Sequence, residues 1–158
     1  MLNMPEPGLY RTTEAYPGHE GEIPAGVLVY VGVKQNGGVP FVVRPGSNRN
    51  NRWYWGEPTL PLRALNWAAT LKQLRAEGFY TIPEQLDFEG GGRWVKHAIV
   101  QLGYNGEGQG ILFVAEQHAD EERNVLFFSD RGRPIDDQLL DRLEWAPILP
   151  VSSDKNDS

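Results

Sequence analysis

Cysteine is absent from these 158 residues. Its absence excludes a disulfide framework, thiolate metal ligation and a cysteine nucleophile. Long apolar runs are absent as well. The longest, residues 27–31 and 111–115, fall far short of the roughly 20 residues that span a bilayer. The opening MLNMPEPG has neither the basic nor the apolar region of a secretion signal, so a cytoplasmic protein with no membrane partner is expected. An overall basic excess is also missing. The net charge is −6, with 8 basic and 6 acidic side chains up to residue 83 and 7 and 15 beyond it. An acidic chain is poorly suited to general DNA binding, which relies on a basic face. Histidine is scarce, with three residues and no His-x-x-x-His or Glu-x-x-His pair, which argues against a zinc enzyme.

What is present suits a globular fold. Hydrophobic residues make up 40% and charged residues 23%, and a chain of this length buries a core without covalent staples. Residues 1–25 carry Pro5, Pro7, Pro17 and Pro24 and read as an irregular arm with a short strand near residues 9–13. Residues 27–31 (VLVYV) are β-branched and aromatic, the signature of a buried strand. Asn36-Gly37-Gly38 marks a turn, residues 40–43 a return strand, residues 44–51 a polar loop and residues 52–55 a third strand. Leu60, Ala64, Trp67, Leu71 and Leu74 step by four and three, which predicts a helix with Pro61 in its first turn and Gly78 as its cap. Residues 79–82 then read as a strand.

The second half repeats this order. Residues 98–102 and 111–116 predict two strands around an Asn105-Gly106 turn, and residues 117–122 a polar loop. A third strand follows over 124–128, a helix behind Pro134 with Ile135, Leu139 and Leu143 on one face, and a closing strand over 147–151. Gly32 and Gly103 stand 71 residues apart, as do Arg52 and Arg123. The expected architecture is therefore β-dominated α+β: two similar β-β-β-α-β units with one helix each, forming small antiparallel half-barrels or one merged sheet. The divisions are an arm (1–25), a first unit (26–83), a linker (84–92), a second unit (93–151) and a disordered tail (152–158). Trp53-Tyr54-Trp55-Gly56, following a polar loop, resembles the aromatic pair of SH3-like barrels. The resemblance covers only these residues and implies an SH3-like architecture, not a set of binding residues.

The candidate chemistry is thin. Glu116, His118 and Asp120 alternate, so a strand would place them on one face where they could meet a divalent metal, but they run on into the charged stretch of a solvated loop. Ser47 and Ser129 lie outside any Gly-x-Ser-x-Gly elbow. Asp130 falls in a turn, and Asp136 and Asp137 fall at a helix N-terminus, where the helix dipole favours negative charge. Gly90-Gly91-Gly92 precedes a strand, not a helix, and lacks the spacing of a phosphate loop. No cofactor and no metal site is expected.

The richest stretch is residues 44–55, where three arginines, three asparagines and three aromatics fall within twelve positions. Arg44, Arg49, Arg52, Trp53, Tyr54 and Trp55 are the candidate binding residues. On a strand, Trp53 and Trp55 share one face and Tyr54 takes the other. Arginine and aromatic residues head the hot-spot types of protein interfaces, and they also stack on single-stranded nucleic acid. The leading expectation is a non-catalytic module that recognises a protein partner. A single-stranded nucleic-acid binder using the same patch is the alternative, and a metal-dependent hydrolase ranks last. Exposed strand edges would also allow a homo-oligomer.

Overall fold

The computed structural model describes residues 4–33, 38–49, 52–56, 59–116 and 125–147. Among these, strand dominates, two helices are short, and every strand pairing is antiparallel. None of the sheets closes on itself.

The first sheet is built around β2 (Leu28–Gly32), whose Leu28, Val29 and Val31 are fully buried. It pairs on one side with β1 (Gly8–Arg11) and on the other with β3 (Phe41–Val43). The two-residue strands β6 (Leu60–Pro61) and β7 (Lys72–Gln73) complete the sheet on β3 and β1 respectively. A separate hairpin, β4 (Pro45–Arg49) and β5 (Arg52–Trp55), rises between β3 and β6. The segment expected as a polar loop is thus mostly strand, because its residues pair with the aromatic run of β5. Residues 8–25 are no detached arm. They supply β1 and bury Tyr10, Thr12, Tyr16 and Ile23.

The helix expected over residues 60–74 is a four-residue turn, α1 (Leu65–Ala68), with no side-chain cap. Leu60 pairs with Val42, Lys72 pairs with Arg11, and the Leu74 N–H donates to the Leu9 carbonyl at 3.0 Å. A helix this short has little stability of its own, so sheet pairing on both sides decides its length. The same apolar spacing is met by two strand ends and one turn, with Leu62, Trp67 and Ala68 in one core and Leu74 in the other.

The second sheet is built around β11 (Ile99–Tyr104), which pairs with β8 (Gly78–Thr81) and β12 (Gly110–Glu116). β12 also carries β13 (Phe127–Phe128) and β14 (Arg133–Pro134), and β8 carries β15 (Glu144–Trp145). Between β8 and β11, β9 (Leu86–Asp87) and β10 (Arg93–Trp94) form a hairpin. The Gly90-Gly91-Gly92 run makes its turn, with the Phe88 N–H donating to the Gly92 carbonyl at 2.8 Å. The residues expected to form a linker therefore belong to a separate two-stranded sheet. Residues 79–82, expected as the last strand of the first half, pair in the second sheet. Helix α2 (Asp137–Arg142) is capped by Asp136, whose carboxylate accepts the Leu139 N–H at 2.9 Å.

Two buried clusters result. One holds Tyr16, Ile23, Val29, Val31 and Trp67 from the first half. The other centres on Val100, Leu102, Leu112 and Leu140 but also takes in Leu28 and Leu74. The halves are thereby packed through a shared core. Polar contacts add to this: the Arg11 guanidinium donates to both Asp137 oxygens at 2.7 and 2.8 Å, and the Tyr104 hydroxyl donates to the Arg75 carbonyl at 2.6 Å. No described helix is long and apolar enough to cross a membrane.

Candidate functional site

The β4–β5 hairpin leaves the first sheet where Gly46 and Gly56 lie against each other. A Cβ on Gly46 would stand 3.1 Å from the Gly56 Cα, so the two chains could not approach this closely with side chains there. From this base the hairpin folds over the junction of the two halves. Alternation along β5 sorts the aromatics. Trp53 and Trp55 point inward and are half-buried, while Arg52 and Tyr54 are exposed. Trp53 packs against the second core and donates its indole N–H to the Tyr104 carbonyl at 2.8 Å. Trp55 stacks on Tyr30 with centroids 5.4 Å apart and planes 26° apart.

The six candidate residues therefore divide into three groups. Arg49, Arg52 and Tyr54 form the outer face. Both guanidinium carbons lie 5.7 Å from the centre of the Tyr54 ring, within cation–π range, and the ring is 46% exposed. Trp53 and Trp55 form the inner face. Arg44 joins neither, because it sits half-buried at the hairpin base. There its Nη1 donates to the Glu22 carbonyl at 3.4 Å, and burial pushes its pKa down.

Beneath the hairpin lies a cleft of about 880 Å³. It is lined by Tyr30, Arg52, Trp53, Tyr54 and Trp55 together with Leu9, Gln73 and Gln101. Its size is that of an ordinary ligand site, and its lining mixes four aromatic rings with four charged or amide side chains.

Glu77 also lines this cleft. Its Oε2 is buried and has no hydrogen-bond partner among the described residues. Burial raises its pKa from 4.5 to about 6, although a hydrogen bond from the Trp53 backbone and the charge of Arg52 both favour the carboxylate. A half-buried carboxyl with an unpartnered, buried oxygen therefore lines the cleft. Sequence reasoning missed it. Glu77 precedes Gly78 in a stretch read as a helix end, and no local pattern links it to residues 52–55, some 25 positions away.

The other candidates resolve into structural roles. Asp136 is a cap, Asp137 is the Arg11 partner, and Ser129 shapes its turn by accepting the Arg131 N–H at 3.1 Å. His19 pairs with Glu22 at 3.2 Å. His118 and Asp120 lie outside the described residues, as do residues 148–158. Among the described residues no cluster of three His, Asp or Glu side chains converges on a metal-sized space. A second cleft of about 330 Å³ lies beside Phe88 and Trp94. There Asp87 pairs with Arg93 and Glu84 with Arg142, so its rim charges are already matched.

Comparison of the chain with protein-family models, with curated proteins and with solved structures finds no match.

Proposed function

We propose that this chain is a non-catalytic binding module that recognises a protein partner through the β4–β5 hairpin and the cleft beneath it. The observation that carries the reading is the cleft itself. It is a concave space whose lining includes two tryptophans, two tyrosines and an arginine, residue types that dominate protein hot spots. The outer face favours protein over nucleic acid. The Arg49 and Arg52 guanidinium groups already lie within cation–π range of the Tyr54 ring, so an incoming base would compete with them for it.

We also read the molecule as two copies of one unit, in the chain order β-β-β-β-α-β in place of the β-β-β-α-β order expected, each an SH3-like half-open barrel. Strand order supports this: β6-β3-β2-β1-β7 in one sheet corresponds to β14-β12-β11-β8-β15 in the other. Register supports it as well. Gly8 and Gly78 open equivalent strands at φ +151° and +149°. Two residues later, the hydroxyls of Tyr10 and Tyr80 each donate to the carbonyl four positions back, at 2.7 and 2.6 Å. On this reading the first unit ends at β7 and the second begins at β8. The hairpin is then an insertion of the first unit that covers the joint with the second.

A random peptide library displayed against the immobilised full chain tests the binding reading. Peptides should be enriched, compete with one another, and lose binding to Trp55→Ala. Enrichment that survives this substitution would move the site elsewhere, and no enrichment would end the reading. Salt-sensitive capture of labelled oligo-dT in place of peptides would favour the nucleic-acid alternative.

A further inference from the structure

We propose that the cleft selects a cationic side chain, the lysine or arginine of an extended partner segment, seating it among the Trp53, Trp55 and Tyr30 rings with Glu77 as its counter-ion. This rests on the binding reading above and names the chemistry that the site would accept.

The first ground is an unmet demand. Buried polar atoms are nearly always hydrogen-bonded, and one left unpaired costs stability. Glu77 Oε2 is buried, unpartnered among the described residues, and belongs to a residue lining the open cleft. Oε2 is closed to solvent in the free chain, so a donor arriving through the cleft would satisfy it only by drawing the Glu77 side chain outward. The second ground is the shape of the walls. Trp55 and Tyr30 form a stacked pair, each leaving its outer face for a ligand, and Trp53 lines the same cleft with its indole N–H already committed to Tyr104. The negative faces of such rings attract cations, and their edges shield a charge pair from water. The third ground is the type of polar group present. Gln73 and Gln101 supply neutral amides, and Glu77 supplies the anion. An anionic ligand would meet Glu77, and the cation that lines the cleft, Arg52, is already shared between Glu77, on which its charge acts, and the Tyr54 ring. A cation reaching Glu77 would gain both the carboxylate and the rings.

The charged and titratable groups around Glu77 set the terms. Arg52 from the hairpin acts on it through space, and Tyr104 from β11 lies within its field. Arg75 acts on Tyr104 in turn and is occupied with the Leu140 and Leu143 carbonyls. No described residue completes the pair with Oε2.

The test uses the full chain labelled with ¹⁵N and three blocked amino acids: N-acetyl-arginine amide, N-acetyl-lysine amide and N-acetyl-citrulline amide, the last a neutral shape-mimic of arginine. At pH 7.5 the arginine and lysine probes should shift the indole signals of Trp53 and Trp55 saturably, with citrulline weaker by about tenfold, equivalent to ~1.4 kcal/mol. Glu77→Gln should bring arginine down to the citrulline level and leave citrulline unchanged. Equal binding of arginine and citrulline to the wild-type chain would overturn the proposal, and that comparison needs no variant. Unchanged arginine binding by a folded Glu77→Gln chain would also overturn it. Absence of any shift with all three probes would overturn it too. In that case library peptides that depend on Trp55 but lack lysine and arginine would show the binding reading standing alone, and no such peptides would show both readings failing together.

Discussion

Gly26 and His97 share a left-handed backbone, at φ +77° and +72°, and each donates its N–H to a carbonyl of an earlier segment, Gly26 to Thr12 at 2.9 Å and His97 to Ile82 at 3.0 Å. His97 is the only non-glycine with positive φ among the described residues. Its exposed side chain makes no described contact that explains the choice. A left-handed conformation costs an L-residue with a Cβ roughly 1 kcal/mol, and glycine almost nothing. His97→Gly should therefore stabilise the fold by about 1 kcal/mol, less the extra flexibility of glycine in the unfolded chain, and raise Tm by roughly 2 °C. Thermal unfolding followed by circular dichroism checks this. A loss of stability would mean that the imidazole has a partner of its own.

Arg11 and Asp137 tie the halves together, and Arg11 also donates to the Gly108 carbonyl at 3.1 and 3.2 Å. The pairing holds the Asp137 carboxyl below its ordinary value of 3.8. A depressed carboxylate pKa contributes stability above the unfolded value, and that contribution is lost as pH falls through the folded one. Asp137→Asn should cost up to about 1 kcal/mol at pH 7, the range of a well-formed but partly exposed pair. The difference from wild type should shrink below pH 3.8. Urea titrations at pH 7 and pH 3 measure both arms, and a gap of equal size at the two pH values would remove the assignment.

Glu77 has the opposite sign. Its pKa is raised from 4.5 to about 6, so the folded chain holds its proton more tightly than the unfolded chain does. Stability should fall as pH rises across that window and stay lowered above it. The full shift corresponds to roughly 2 kcal/mol, but the group is half-exposed and solvent screening brings the expectation to about 1 kcal/mol or less. Glu77→Gln should accordingly be the more stable chain at pH 7.5 and match wild type at pH 4. A variant that is less stable at pH 7.5 would show that the carboxylate is paired in the free protein.

The two faces of β5 predict different responses to substitution. Trp53→Phe removes the indole N–H and leaves the Tyr104 carbonyl without that donor, at a cost of about 1–2 kcal/mol. Tyr54→Ala, on the exposed face, should change stability by no more than about 0.5 kcal/mol. Chemical denaturation of both variants decides this. A larger loss for Tyr54→Ala would place that ring in the packing.

Much of the chain was legible without a structure. Leu28, Val29 and Val31 announced a buried strand by their β-branched and apolar run, and they sit at the centre of the first sheet. The alternation of Trp53, Tyr54 and Trp55 anticipated their division between two faces, because successive side chains on a strand point opposite ways. The position of Asp136 ahead of an apolar step anticipated the helix N-terminus that it caps. The error over residues 60–74 is equally instructive. A spacing of three and four describes any segment that returns to one core at those intervals, and two strand ends joined by a turn do so as readily as a helix.

The sequence by itself determined the periodicities, and through them a β-dominated chain with an aromatic and arginine-rich stretch ending in a strand. Tertiary structure alone decided which strands pair, and therefore that β8 joins the second sheet and the glycine-rich stretch closes a hairpin. It alone brought Glu77 beneath Trp53 and Trp55. The physical reason is range: alternation and capping act over a few residues, whereas pairing and burial are settled by all the apolar surface competing for the same interior. A carboxyl acquires an unusual pKa only when distant segments close over it, and nothing in its neighbours along the chain records that closure.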